Sequence, residues 1–386
     1  MYQFFNLIIR ISMKKKNVVV FIGVFLFFCS CKNSNSNNNY EFNTQTIRWR
    51  TNKDFEIRDI IKDIQYIILE ETPESIFADI YKLIIKNNRI YILDIRPKAL
   101  LVFEINGKFL YKIGRQGGGP GEYSNSLINF AVSENDEVIV YDHGKREMMK
   151  YDKNGKYINS IKSSFSFNDF LVLPDNQFLL SLDIYEKSNK NRKVIITDDM
   201  KKSKNSYFHY HKDYKNDKLN MVSFQPFEDK IAYMCAVNDT LFIFDNKGAL
   251  EQALFFDFGN RKLPEELKNN YERVSEERRN GRFSDYIFNA PVCIKNYIII
   301  EMFVNGKKCI SVYDRTNNTL THEILEPDKF SLYNINFPLC TVSDSLLVSY
   351  LDADTYFSVK NHFSINTEVD THLANGGTII ILNTIK

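Results

Sequence analysis

The 386-residue chain has a single tryptophan, Trp49, and only nine prolines. It has six cysteines, and the four that follow Cys31 include no pair at metal-ligand spacing. Cys235, Cys293, Cys309 and Cys340 each sit in an apolar stretch and read as small buried hydrophobes. No apolar run reaches the roughly 18 residues that a spanning helix requires, so no stretch of this sequence reads as such a helix. Neither Gly-x-Ser-x-Gly nor His-Glu-x-x-His occurs, so the common local hydrolase signatures are missing. There is also no surplus of positive charge. Lys and Arg total 50 against 48 Asp and Glu, and loss of residues 1–30 with Arg10, Lys14, Lys15 and Lys16 leaves 46 against 48. A slightly acidic mature chain offers no field for nucleic acid, which is not an expected partner.

What is present starts at the front. Lys14, Lys15 and Lys16 precede an apolar run from Val18 to Phe28, too short to span and built like a signal peptide, with Met13 as an alternative start. Phe28-Cys29-Ser30-Cys31 resembles a bacterial lipobox, in which Cys31 carries lipid and becomes the mature N-terminus. Residues 1–31 are read as signal and lipobox, and 32–50, rich in Asn and Ser, as a flexible tether. The expected location is the bacterial outer membrane, facing the periplasm or the surface, with the membrane itself a partner through the lipid.

Beyond residue 51 the chain repeats itself. Ile90, Asp94, Phe103 and Gly107 recur as Val138, Asp142, Tyr151 and Gly155, each 48 residues on. A strand–strand–turn–strand unit at that period with a Gly-rich joint marks a β-propeller blade. Blades are expected over about 76–114, 126–162, 166–208, 220–259 and 284–325, with a sixth from about 331. Residues 63–70 and 378–382 are strands without blades of their own, and both are expected to complete blade six, closing the ring from its two ends. The fold class is therefore all-β, a six-bladed propeller of four-stranded antiparallel blades occupying 51–386. The charged segment from Leu263 to Arg279 is expected to be a helix inserted between blades four and five.

The run from Gly114 to Tyr123, Asn129-Phe130-Ala131-Val132 and Lys150-Tyr151-Asp152-Lys153-Asn154-Gly155-Lys156 resemble an NHL-type repeat. More narrowly, residues 60–386 resemble the six-bladed β-propeller lipoproteins of gut Bacteroidetes. Phe256-Asp257-Phe258-Gly259 and Leu263-Pro264 fit that resemblance, and Asn375-Gly376-Gly377 departs from it by lacking an acidic, proline-containing turn. The resemblance supplies no catalytic residues, and none are assigned.

Candidate site residues come from aligning the inner strands. A polar residue stands ahead of an apolar one at Asp79, Asn129, Asp169 and Ser223, with looser counterparts at Asn289 and Asn334. These are expected to ring one mouth of the channel, where short amides and carboxylates can hold a glycan, a peptide or a partner protein; the competing reading is that they satisfy turns and buried water. Arg115 and Glu122 flank the Gly-rich run, which lacks the Lys-Ser/Thr ending of a phosphate loop and reads as a connector, with the pair either bonded to each other or facing a ligand. His209-Tyr210-His211 and Asp352-Ala353-Asp354 have weak metal or calcium patterns and no third partner in sequence. The expected function is non-catalytic binding or scaffolding with no cofactor. The alternative, by analogy of fold alone, is a lactonase-like or amidating-lyase-like enzyme with Ca or Zn at the channel mouth.

Overall fold

A computed structural model describes residues 42–48, 56–94, 96–183, 189–211, 214–215, 222–326, 331–334, 336–362 and 364–386. The signal segment, Cys31 and the polar run before residue 42 lie outside the described residues. Six antiparallel sheets form the blades. Blade one consists of Lys82–Lys86, Arg89–Asp94, Ala99–Glu104 and Phe109–Lys112, and blade two of Leu127–Val132, Val138–Asp142, Glu147–Tyr151 and Tyr157–Lys162. The inner strands of successive blades touch in order around the ring, and Cys340–Ser343 of blade six returns to Lys82–Lys86.

The 48-residue period has a physical basis in these two blades. Ile90 and Val138 are fully buried, as are Phe103 and, to 1 %, its counterpart Tyr151. Asp94 and Asp142 are both fully buried at the end of the second strand. Asp94 accepts hydrogen bonds from the N–H groups of Ala78, Asp79 and Arg96; Asp142 accepts from Ser124 and from the N–H of Lys145. The repeated carboxylate thus ties each blade's entry loop to its second strand. The repeated glycines, Gly107 and Gly155, lie at φ +90 and +79, and a Cβ on Gly107 would fall 1.9 Å from the Ile68 carbonyl oxygen.

Both chain ends meet in blade six. Ile61–Ile68 pairs antiparallel with Thr378–Ile385, which pairs with Leu346–Asp352. Ile379, Ile380 and Ile381 are fully buried there, so the closure is a core seam.

Three features differ from the sequence expectation. Asn43–Arg48, read as tether, is a strand that adds in parallel to the outer strand of blade four, Leu250–Asp257. Its backbone finds an open sheet edge and Ile47 is 2 % exposed, which outweighs the polar composition. The insert after blade four is two helices, α1 (Glu265–Lys268) and α2 (Tyr271–Arg279), with Asn270 capping the second through the Arg273 N–H. Leu267 and Val274 pack with Val237, Tyr286 and other apolar groups beside blade five. A second insert, α3 (Ala353–Val359) and α4 (Thr367–Ala374), interrupts blade six before its last β-strand. Asp352 caps α3 by accepting from the Thr355 N–H at 2.7 Å, so this carboxylate has a helix to serve rather than a calcium ion.

Candidate functional site

The inner strands enclose a cavity of about 1120 Å³ along the ring axis. Leu83, Ile85, Leu171, Phe224, Phe337 and Leu339 are among its wall residues. The cavity is not six-fold. The inner edge of blade five is broken into Tyr286–Ile287 and Val292–Ile294. Blades four and six meet nearby, where Gln225 Nε2 donates to the Leu339 carbonyl at 3.2 Å.

A buried polar network sits against one side of this cavity. Asp169, fully buried, accepts five hydrogen bonds: Lys82 Nζ at 3.0 Å, Asn129 Nδ2 at 2.9 Å, and the N–H groups of Phe170, Ser223 and Phe224 at 2.8–2.9 Å. Lys82 Nζ also donates to Asn129 Oδ1 at 2.7 Å, and Ser181 Oγ donates to Ser223 Oγ at 3.3 Å. A lysine 8 % exposed is tolerated only because its ammonium is paired and hydrogen-bonded. The network stitches blades one to four, and Lys82 is the charged side chain it places on the cavity wall.

Three of the six expected ring residues, Asn129, Asp169 and Ser223, therefore come together. The other three do not join them. Asp79 precedes the inner strand and lies 3.6 Å from the exposed Arg96 guanidinium. Asn289 lines the cavity but bonds Glu301 in its own blade. Asn334 donates to Glu323 at 2.6 Å and accepts from the Ser331 N–H, and Glu323 in turn accepts the Ile57 N–H. These side chains fasten loops, the commoner use of Asp and Asn. Lys82 itself escaped the alignment of polar positions. Its signal was a lysine set into the otherwise apolar run Leu83-Ile84-Ile85 of an inner strand.

The Gly-rich connector turns inward on itself. Glu122 accepts from Arg115 Nε at 2.6 Å and from the Gly119 N–H at 2.7 Å, and Lys145 Nζ donates to the Glu122 carbonyl at 2.6 Å. The Gly119 N–H first, and then the Arg115 guanidinium, hold the Glu122 carboxyl below the usual carboxylate range. Gly121 sits at φ +70, where a Cβ would meet Tyr157 at 2.7 Å. Arg115 and Glu122 form this crossing.

Other chemistry-bearing groups are placed as follows. Ser166 Oγ and Asp183 Oδ2 both approach the same nitrogen, Nε2, of His143, at 2.9 and 3.4 Å, and Ser166 also bonds Asp183 at 3.2 Å. A nucleophilic relay needs the acid on the opposite ring nitrogen, so this triangle is not one. His209 ends the outer strand of blade three, and Tyr210 between the two histidines is buried with its hydroxyl on the Leu182 carbonyl. Among the described residues no three His, Cys, Asp or Glu side chains group as metal ligands. Burial pushes the Cys293 and Cys309 thiols up to about 12, far from a reactive thiolate.

A family model described as a domain of unknown function, DUF4934, matches residues 40–375. The chain belongs to the DUF4934 family. This family's fold is seen again in a protein inferred to be exported, from Bacteroides fragilis NCTC 9343, with a TM-score of 0.71 and 17 % identity over 89 % of this chain and all of that one. A member of the DUF4221 family from Bacteroides vulgatus ATCC 8482 aligns with a TM-score of 0.50 and 11 % identity, over 85 % of this chain and 97 % of the other. At these identities the likeness is one of fold. No curated protein matches the sequence. The DUF4934 chain is thus a six-bladed propeller similar in fold to Bacteroides proteins, one of them inferred to be exported.

Proposed function

We propose that this DUF4934 protein is an envelope-anchored binding module that holds a ligand in its axial cavity and does no chemistry on it. The carrying observation is the cavity itself, about 1120 Å³ of largely apolar wall with one buried ammonium on it. That size and that lining, apolar with few oriented polar groups, suit a small-molecule or short-chain ligand. The convergence of Ser166 and Asp183 on one His143 nitrogen supports binding over acyl transfer. The lipobox-like Phe28-Cys29-Ser30-Cys31 and the fold it shares with an exported Bacteroides protein support an outer-membrane lipoprotein anchored through Cys31.

Two measurements test this. Radiolabelled palmitate should enter the wild-type chain in a Bacteroides host and not a Cys31→Ser variant; equal labelling would refute the anchor. Elemental analysis of the purified protein should find substoichiometric Ca and Zn. A bound metal ion lost on changing Asp169 and Asn129 would replace binding alone with a metal-dependent activity.

A further inference from the structure

We infer that the cavity takes a short, extended, apolar peptide of net positive charge, with a peptide carbonyl on Lys82. This deepens the cavity reading above and rests on it. Lys82 Nζ has three N–H groups. Asn129 Oδ1 and Asp169 Oδ1 take two, and the third has no oxygen or nitrogen acceptor among the described residues, with the Phe130 ring centroid 5.8 Å from Nζ. Asp169 cancels the charge, so the wall offers a donor without a net field, which suits a neutral carbonyl better than a carboxylate or phosphate.

The cavity's length and lining fit the same ligand. From Lys82 to Lys86 the inner strand climbs four residues, or roughly 13 Å at a strand's rise, which an extended peptide spans with about four residues. The walls Leu83, Ile85, Leu171 and Leu339 match aliphatic side chains. A sugar would need several convergent amides within the wall, but Gln225 is committed to the Leu339 carbonyl and Asn289 to Glu301, and the other lining amides, Asn135, Asn176 and Asn246, are exposed.

The rim sets the charge. Glu134 is paired with Lys86, and Lys230 with Glu251, at 2.8 and 2.7 Å. Asp175, Glu228 and Asp229 also line the opening, are exposed, and have no ion-pair partner among the described residues. Such a rim repels an anion and draws a cation at low salt.

The test is calorimetric titration of the full chain with a C-terminally amidated tetrapeptide of three leucines and one lysine. The same peptide with glutamate for lysine, and maltotetraose, are titrated beside it. The inference expects the lysine peptide to bind at least about tenfold more tightly than the glutamate peptide, a gap that 1 M salt narrows. The exposed double change Glu228→Gln with Asp229→Asn should weaken the lysine peptide about tenfold, the sum of two modest surface charge terms. Lys82→Gln should weaken both peptides, and a circular dichroism spectrum checks that it folds. Leu171→Trp, which narrows the cavity, should abolish binding. If maltotetraose binds, and Leu171→Trp abolishes it, while neither peptide binds, the peptide inference falls and the cavity reading stands. Peptide binding that survives Leu171→Trp overturns both. No difference between the lysine and glutamate peptides, or no binding of either, overturns the inference alone.

Discussion

Blades one and two, against blade five, show what a propeller can standardise and what it must improvise. In the first pair the inner strands Lys82–Lys86 and Leu127–Val132 are continuous, the buried Asp94 and Asp142 do the same job, and the glycines fall in step. In blade five the inner edge is split, helices α1 and α2 lie beside it, and Glu301 rather than an inner-strand residue holds the polar contacts, bonding Asn289 and Lys308. The regular side contributes the Lys82–Asn129–Asp169 network. The irregular side makes the cavity lopsided. A ring of six identical blades would have neither a single buried ammonium nor a direct contact between blades four and six, so the departure from repetition is what gives this channel a distinguishable site.

The largest way to break the contrast is Asp169→Ala. It removes five accepted hydrogen bonds and strands the Lys82 ammonium, and it should cost about 3–5 kcal/mol in urea unfolding. A loss under about 1 kcal/mol would mean the network does not bind the first four blades together. Next is Gly107→Ala on the regular side. The positive φ and the 1.9 Å approach to Ile68 set blade one against the closing strand, so a loss of about 2–3 kcal/mol is expected, read as a lower urea midpoint.

On the irregular side effects should shrink. Asn270→Ala removes the cap of α2 and should cost about 1 kcal/mol, visible as a small fall in melting temperature. His322 of blade five is half-buried, and burial lowers its pKa, partly countered by Asp285. The folded state therefore resists protonation. The resulting stability is present above the unfolded value of about 6.5 and is lost as pH falls below it. His322→Gln should flatten the stability profile between pH 7 and 5, and an unchanged slope would place the acid sensitivity elsewhere. The smallest effect belongs to Asp79→Ala, whose partners are the exposed Arg96 at 3.6 Å and the Tyr350 hydroxyl at a long 3.4 Å; a change within about 0.5 kcal/mol separates it from the buried ring residues.

These residues also show how far the sequence could be read. Ile90 with Val138 and Gly107 with Gly155 announced the blade, because burial and positive φ constrain a residue wherever it occurs. The closing strands were legible as apolar runs with no local partner. Asn289 does line the cavity but is tied to Glu301, and Asn334 is tied to Glu323 and the Ser331 N–H, because Asn fastens local structure as readily as it serves a site, and pattern alone does not separate the two uses. Asn43–Arg48 looked like tether because an edge strand is held by backbone hydrogen bonds, which composition does not reveal. Helices α3 and α4 sit inside blade six, between two segments read as strands, where no helix was expected.

By itself the sequence determined the blade, its number and the clasp at blade six, since each follows from local periodicity, turn residues and buried apolar faces. Tertiary structure alone decided that Lys82 would meet Asn129, 47 residues away, and Asp169, 87 residues away, beside an axial cavity. The reason is geometric: closure of the ring brings inner strands together irrespective of their separation in the chain, and a buried charge is stable only where that closure delivers its partner.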